Sequence, residues 1–276
     1  MKIPGDVERA GEERGGAGVA GVAGGRGLKA IICDIDGCLG PESHAPMNAG
    51  CLAEIAAMNR RAIGQGVGPI ITLCSGRPQP FVEAVCRVIG NDGCPAIAEM
   101  GVWLYDAREG RAAFERDPNI TKEHLRAVRE ATGWIESELV PRGVVIQPGK
   151  SASISLWHAE TAYLLSLKPR LVERFALEGW GLRVSSTVAW INCDLEHVSK
   201  ATGIARMKLK MGFERAELAG IGDTMGDRAI AEAVGFFGVP ANAEEGLKAH
   251  AHYISPYTEM QGVLDIISKL PVLVGA

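Results

Sequence analysis

Carboxylates, a hydroxyl and one ammonium recur at the ends of apolar runs in this chain. The run "KAIIC" leads into Asp34 and Asp36 of "DIDG", and "PIITLC" leads into Ser75 and Gly76. Lys200 opens a helical stretch, and "ELAGI" leads into "GDTMGD", which holds Asp223 and Asp227. Isolated buried carboxylates are costly, so a pair at a strand end belongs in a polar site. Residues two apart on a strand point the same way, so Asp34 and Asp36 can face one crevice. Each piece also has an ordinary structural reading: an Asp pair as a turn or cap, Ser75-Gly76 as a strand-to-helix turn, Lys200 as a solvated lysine, Asp223 and Asp227 as a helix cap with a favourable dipole charge. Their order and shared placement at strand ends argue for one site.

The elements that must carry these residues alternate. After the strand at 29–33 come a helix over 49–63, a buried strand over 69–74, a helix in "PQPFVEAVCRVI", and strands in "PAIA" and "VWLY". Beyond a middle section the rhythm resumes with a helix over 199–212, strand 217–221, helix 225–234, strand 236–239, a short helix near 244–249, "HYI" and a last helix from Glu259. Near-continuous apolar strands separated by helices predict an α/β fold, a doubly wound parallel sheet covered on both faces. Ligands in such folds gather outside the carboxyl ends of the strands.

The middle section, 114–194, has another rhythm. Leu125, Val128, Thr132, Ile135 and Leu139 recur at helical spacing, and "GVVIQ" and "ASISLW" flank "PGKS" as a hairpin. Pro169 suits the first residue of a helix running to Glu178 and closed by Gly179, while "TAYLLSL" reads as helix or strand. "LRVS" and "VAWINC" form a second hairpin. This is a small α+β module inserted into a core of 28–113 and 195–276. Residues 1–27, glycine-rich and without usable periodicity, are expected to be a disordered extension.

Composition excludes several classes. The chain has 276 residues, 47% of them hydrophobic, and a net charge of −4, with no basic stripe interleaved with aromatics, which argues against nucleic acid. No apolar run approaches the roughly 18 residues of a membrane span, and Glu8, Glu12 and Glu13 stand where a secretory leader carries basic residues, so neither membrane nor export is expected and the location reads as cytoplasmic. Seven scattered cysteines without a CxxC indicate neither a disulfide framework nor a zinc site.

In combination, "DIDGCL", "LCSGRP", the lysine of "HVSKATGI" and "GDTMGD" resemble the haloacid dehalogenase superfamily of phosphotransferases over about residues 28–270. "AEMGVWLYD" is similar to the family's glutamate-asparagine-glycine turn with Met100 in place of asparagine, and "VPANAEEGLKAHAHYIS" to its closing segment. Cys38 and Gly226 also depart from the family's usual threonine and asparagine. Only 41 residues separate Asp34 from Ser75, against 125 between Ser75 and Lys200, so the insert follows the second motif. That arrangement resembles the subfamily containing archaeal-type phosphoglycolate phosphatases and sucrose-phosphate and mannosyl-phosphoglycerate phosphatases, and makes the insert a cap.

The resemblance implies a Mg2+-dependent phosphatase acting on a small phosphomonoester. Asp34 would attack phosphorus to form an aspartyl-phosphate, and Asp36 would protonate the departing alkoxide and then activate water. Asp34, the Asp36 main-chain carbonyl and Asp223 would hold the metal, with Asp227 direct or through water. Ser75 and the Gly76 amide would hold phosphate oxygens, and Lys200 would neutralise charge. Arg77 reads as a substrate contact or an ion-pair partner, Asn242 as a phosphate contact or a loop hydrogen bonder, and Lys150, at a cap hairpin tip, as a selector of an anionic leaving group or a solvated turn lysine. The expected leaving group is that of 2-phosphoglycolate, followed by phosphorylated sugars and sugar-acid conjugates; a phosphomutase fits the same residues. Two other classes use related parts: a receiver-type signalling domain, which lacks a cap, and a non-catalytic binding protein. Trp157 and Trp190 read as core or as contacts of a homodimer.

Overall fold

The computed structural model describes residues 27–42, 45–108, 113–187 and 189–273. The expected extension over 1–27 lies, apart from Gly27, outside the described residues. The chain runs β1 (Ala30–Cys33), α1 (Ala49–Gln65), β2 (Ile70–Leu73), α2 (Gln79–Val88), β3 (Ala96–Ala98), β4 (Trp103–Asp106) and β5 (Ala113–Arg116). It continues through α3 (Lys122–Glu138), β6 (Val145–Ile146), β7 (Ser153–Trp157), α4 (Thr161–Ser166), α5 (Lys168–Glu178), β8 (Leu182–Ser186) and β9 (Ile191–Leu195). The last part is α6 (Lys200–Met211), β10 (Leu218–Ile221), α7 (Arg228–Ala233), β11 (Phe236–Val239), α8 (Glu245–Lys248), β12 (Tyr253–Ile254) and α9 (Glu259–Leu273).

A five-stranded sheet in the order β12-β11-β10-β1-β2, parallel at every pairing, forms the core. Its inner strands β1, β10 and β11 are buried along their whole length because both faces are covered. In β1 the alternation sends Ile31 and Cys33 into a cluster with Leu52 and Ile55 of α1 and Val263 and Ile266 of α9. Ala30 and Ile32 go to the opposite cluster, with Ile204 and Met207 of α6 and Ile230 of α7. Each such fully buried isoleucine contributes about 1.5–3 kcal/mol. β1 lies between β10 and β2, so the carboxyl ends of these strands open side by side.

β3, β4 and β5 form a separate antiparallel sheet, joined to the end of β2 by a bridge between Cys74 and Ile97. β5 was not expected. Its alternation, Ala113 to Arg116, is half exposed and lacks the apolar run that marks the buried strands. It pairs with β4, so the core continues past residue 113, and position 194 likewise falls inside β9. The cap has a four-stranded antiparallel sheet, β6-β7-β9-β8, and its own hydrophobic cluster, including Val128, Ile135, Ile154, Phe175 and Ile191. "TAYLLS" is helical; α5 begins one residue before Pro169, at Lys168, with the proline in its first turn where no N–H is needed, and the left-handed Gly179 closes it as expected.

Candidate active site

Strand order brings the sequence-predicted residues together. Asp34 leaves β1, Ser75 follows β2 and Asp223 follows β10, three neighbouring strands whose ends face one cavity or its floor. After β1 the chain turns sharply: Gly40 N–H and Cys38 N–H both donate to the Ile35 carbonyl, and Gly37 is left-handed at φ +72°. Only glycine fits there, since a Cβ on Gly37 would stand 1.9 Å from Asp223 Oδ2. Ser199 caps α6 by accepting from the Thr202 N–H, which sets Lys200 as the first helical residue. The helix start reaches the site because Gly101 leaves room for it; a Cβ there would lie 2.2 Å from the Ser199 carbonyl oxygen.

Lys200 Nζ lies 2.9 Å from Asp34 Oδ2 and 2.6 Å from Asp227 Oδ1, with all three groups buried. The other Asp227 oxygen accepts from the Asp223 and Thr224 N–H groups at 3.0 and 3.2 Å. Asp34, Asp223 and Asp227 each offer an oxygen within 4.8 Å of the others. One ammonium cannot balance three buried carboxylates. Burial, then repulsion from Asp227, pushes Asp34 up to about 8 despite Lys200, and burial, then repulsion from Asp34 and Asp227, pushes Asp223 up to about 9. Burial opposes the charge on Lys200, but Asp227 and Asp34 together hold its pKa well above that of an ordinary lysine. Asp223 Oδ1 is buried without a hydrogen-bond partner among the described residues. An all-oxygen donor set with an orphaned carboxylate oxygen fits a small hard divalent cation.

The cavity has a volume of about 380 Å³ and is walled by core and cap. Asp34, Asp36, Ser75, Gly76, Arg77, Lys150 and Lys200 all line it. Arg77 settles as an ion-pair partner: its Nε donates to both Asp36 oxygens at 3.0 and 2.8 Å, and its Nη2 donates to Oδ1. Asn242 does not line the cavity. Its Nδ2 donates to the Gly37 carbonyl at 2.9 Å and its Oδ1 accepts from the Glu259 N–H at 2.7 Å, so of its two readings the structure shows the loop hydrogen bonder, bracing the Asp36 loop. Lys150 is half-buried, not a solvated turn residue; its Nζ donates to Ser155 Oγ, which donates to Asn192 Oδ1. Cys38, buried, has its pKa raised by burial and then by Cys33.

Other cavity residues were not expected. Glu42, Gln147, Asn192 and Glu244 line it, as does the half-buried Trp190. Ser185 and Ser186 at the end of β8, and Thr187 just after it, add hydroxyls. Glu42 and Glu244 sit on core loops and the others on cap hairpins, none with an apolar-to-acidic signature, and only tertiary placement reveals them.

The family model described as haloacid dehalogenase-like hydrolase matches residues 187–267. A phosphoglycolate phosphatase of Archaeoglobus fulgidus is 33% identical, over 89% of this chain and 98% of that protein. The chain therefore belongs to the haloacid dehalogenase-like hydrolases. A phosphoglycolate phosphatase of Methanopyrus kandleri is 26% identical, over 87% of this chain and 96% of that protein. The fold matches the sucrose-phosphatase of Synechocystis sp. PCC6803, solved with sucrose and phosphate, at a TM-score of 0.62 and 13% identity, over 89% of this chain and 98% of that one. Among the described residues no helix is long and apolar enough to cross a membrane.

Proposed function

We propose that this chain is a magnesium-dependent, cytoplasmic phosphatase of small organic phosphomonoesters, working through a phosphorylated Asp34, with 2-phosphoglycolate as its first candidate substrate. The observation that carries the reading is the Asp34–Lys200–Asp227 cluster, with Asp223, at the floor of a cavity shared with Asp36 and Ser75. Phosphomonoesters resist attack because the nucleophile must approach an anion, so a site for them concentrates positive charge beside an in-line nucleophile. Asp34, the Asp36 carbonyl, Asp223 and Asp227 would hold a magnesium ion, whose charge would favour the ionised forms of Asp34 and Asp223 and draw charge from a phosphate oxygen.

This chain's own groups supply the rest. Asp34 Oδ attacks phosphorus, and the bond to the leaving oxygen breaks. The Ser75 hydroxyl, the Gly76 amide and the Lys200 ammonium hold phosphate oxygens. Asp36 gives its proton to the leaving alkoxide, then takes one from the water that releases phosphate and restores Asp34. Arg77 occupies both Asp36 oxygens in the resting site, so that pair must open and Asp36 must take up a proton from water before it can serve as the donor. The archaeal relatives named phosphoglycolate phosphatase, each matched over nearly its whole length, support the substrate choice. So does the cavity, about 380 Å³ and near the lower end of the usual roughly 300–1,000 Å³ for ligand sites.

A sugar-phosphate substrate is the second reading, favoured by the hydroxyl-rich wall of Ser185, Ser186 and Thr187 beside Trp190. Phosphate release from a panel holding 2-phosphoglycolate, hexose phosphates and an aryl phosphate, with magnesium and with chelator, separates the two. Turnover led by 2-phosphoglycolate and lost on chelation supports the proposal. Turnover undiminished by chelation, or a long-lived phosphoprotein without phosphate release, overturns it.

A further inference from the structure

On the reading that the cavity takes a phosphomonoester, we propose that Glu99 is the positioning residue for Lys150, and that together they make the enzyme prefer leaving groups carrying a second negative charge, such as a carboxylate.

Three basic side chains line the cavity, and two are committed to carboxylates. Arg77 is paired with Asp36, and Lys200 with Asp34 and Asp227. Lys150 bonds a neutral hydroxyl, Ser155 Oγ, and makes no ion pair among the described residues. Burial lowers its pKa, and attraction to Asp194 and Glu99 does not make up the difference. A half-buried ammonium that no carboxylate meets at ion-pair distance among the described residues is a receptor for an anion entering the cavity. Lys150 stands on the cap hairpin and lines the same cavity as Asp34, Asp36 and Ser75.

What aims Lys150 comes from the core. Glu99 is fully buried and accepts from the Ser151 N–H at 2.7 Å, the Ala152 N–H at 2.7 Å, Ser151 Oγ at 2.9 Å and Ser153 Oγ at 3.1 Å. These donors occupy the three residues directly after Lys150. Trp103 Nε1 donates to the same Ser151 hydroxyl at 2.8 Å, and the left-handed Gly149 before the lysine comes close to Pro78 of the core. Glu99 also anchors the opposite wall through its main chain: its N–H donates to the Arg77 carbonyl, and the Met100 N–H donates to the Ser75 carbonyl. One residue thus sets the spacing between the phosphate loop and the cap lysine.

The backbone is strained to do this. Glu99 and Met100 are consecutive non-glycine residues at φ 51° and 58°, and each left-handed residue costs about 1–2 kcal/mol. A carboxylate is suited to the place because all four partners are donors and it offers acceptors only. Glu99 does not line the cavity, so it acts through the loop it holds.

The test uses the full chain and the variants Glu99→Gln, Lys150→Met and the two combined. Gln keeps the shape and the bond from its own N–H to the Arg77 carbonyl, but it replaces a charged acceptor with a neutral amide and so weakens the bonds from the Ser151 and Ala152 N–H groups. The readout is the ratio of kcat/KM for 2-phosphoglycolate to that for phenyl phosphate, whose leaving group is neutral. Lys150→Met should lower the ratio by about 10- to 100-fold, the worth of a hydrogen bond between charged groups. Glu99→Gln should lower it at least about fivefold through KM, and in the Lys150→Met background should lower it no further, as residues acting in series do. Equal losses on both substrates, multiplying effects, or an unchanged ratio in Lys150→Met overturn the proposal. Amide hydrogen exchange gives a readout independent of turnover: Ser151 and Ala152 should exchange faster in Glu99→Gln, and unchanged protection refutes the positioning role. Ser153→Ala, which removes one donor and leaves the main-chain bonds, should show the same ratio change in weaker form and serves if Glu99→Gln does not fold. A chain that hydrolyses neither ester defeats the phosphatase reading, while the exchange result still decides whether Glu99 holds the loop.

Discussion

Replacing Asp223 with asparagine should make the metal-free protein more stable and the magnesium-loaded protein less so. Without a cation, Asp223 is a buried carboxyl with an unpartnered oxygen, raised from its ordinary 3.8 to about 9. Asp34, raised to about 8, shares the effect. Both bind protons more tightly folded than unfolded, so stability falls as pH rises from about 4 toward those folded values. Each pKa unit between 3.8 and the working pH costs about 1.4 kcal/mol, so near pH 7 the Asp223 penalty is at most roughly 4 kcal/mol. Water entry and relaxation reduce that to about 1–2 kcal/mol, or a melting temperature about 2–8 °C higher for asparagine in a chain of this size. Thermal unfolding of both proteins, in chelator and in excess magnesium across pH, measures it. The native chain should gain most from magnesium at the upper end of the range, and the variant should gain little. A variant that melts lower in chelator, or an equal magnesium gain in both proteins, refutes the reasoning.

Asp36→Asn removes the proposed proton donor and should lower kcat by about 10²–10⁴-fold for an alkyl phosphate and by less for an aryl phosphate whose leaving group needs no proton; equal losses on both contradict the role. Gly37→Ala drives a Cβ into Asp223 and forces a side chain into the left-handed region, so it should abolish the magnesium-dependent rise in melting temperature while the far-ultraviolet circular dichroism is retained. Asn242→Ala leaves the Gly37 carbonyl and the Glu259 N–H without their partner and should destabilise the chain by about 1–3 kcal/mol, read by denaturant unfolding.

The core of the site was legible because its residues sit at fixed places in a repeated pattern. A buried parallel strand is a short apolar run, and its polar successor stands at the carboxyl end of the sheet, so Asp34, Ser75 and Asp223 could be placed from spacing alone. Their convergence needed the strand order, which puts β1 between β2 and β10. The cap was legible as alternating helices and hairpins. What spacing could not show are the long-range pairings. Arg77 on Asp36 spans 41 positions and Glu99 on Ser151 spans 52, and neither has a periodic signal. Asn242 was open between two roles because an asparagine amide serves a loop and an anion equally well, and only its partners, Gly37 and Glu259, decide. β5 escaped because a half-exposed edge strand carries no apolar run.

The account turns on Asp34 as the atom donor to phosphorus. Acid-quenched mixing of Asp36→Asn with 2-phosphoglycolate and magnesium, followed by proteolysis and mass spectrometry, reads this directly. The peptide containing Asp34 should carry a phosphoryl group that is lost on exposure to base or hydroxylamine and is absent from Asp34→Asn. Turnover in the native chain with a phosphoryl group on another residue, such as Ser75, would contradict it.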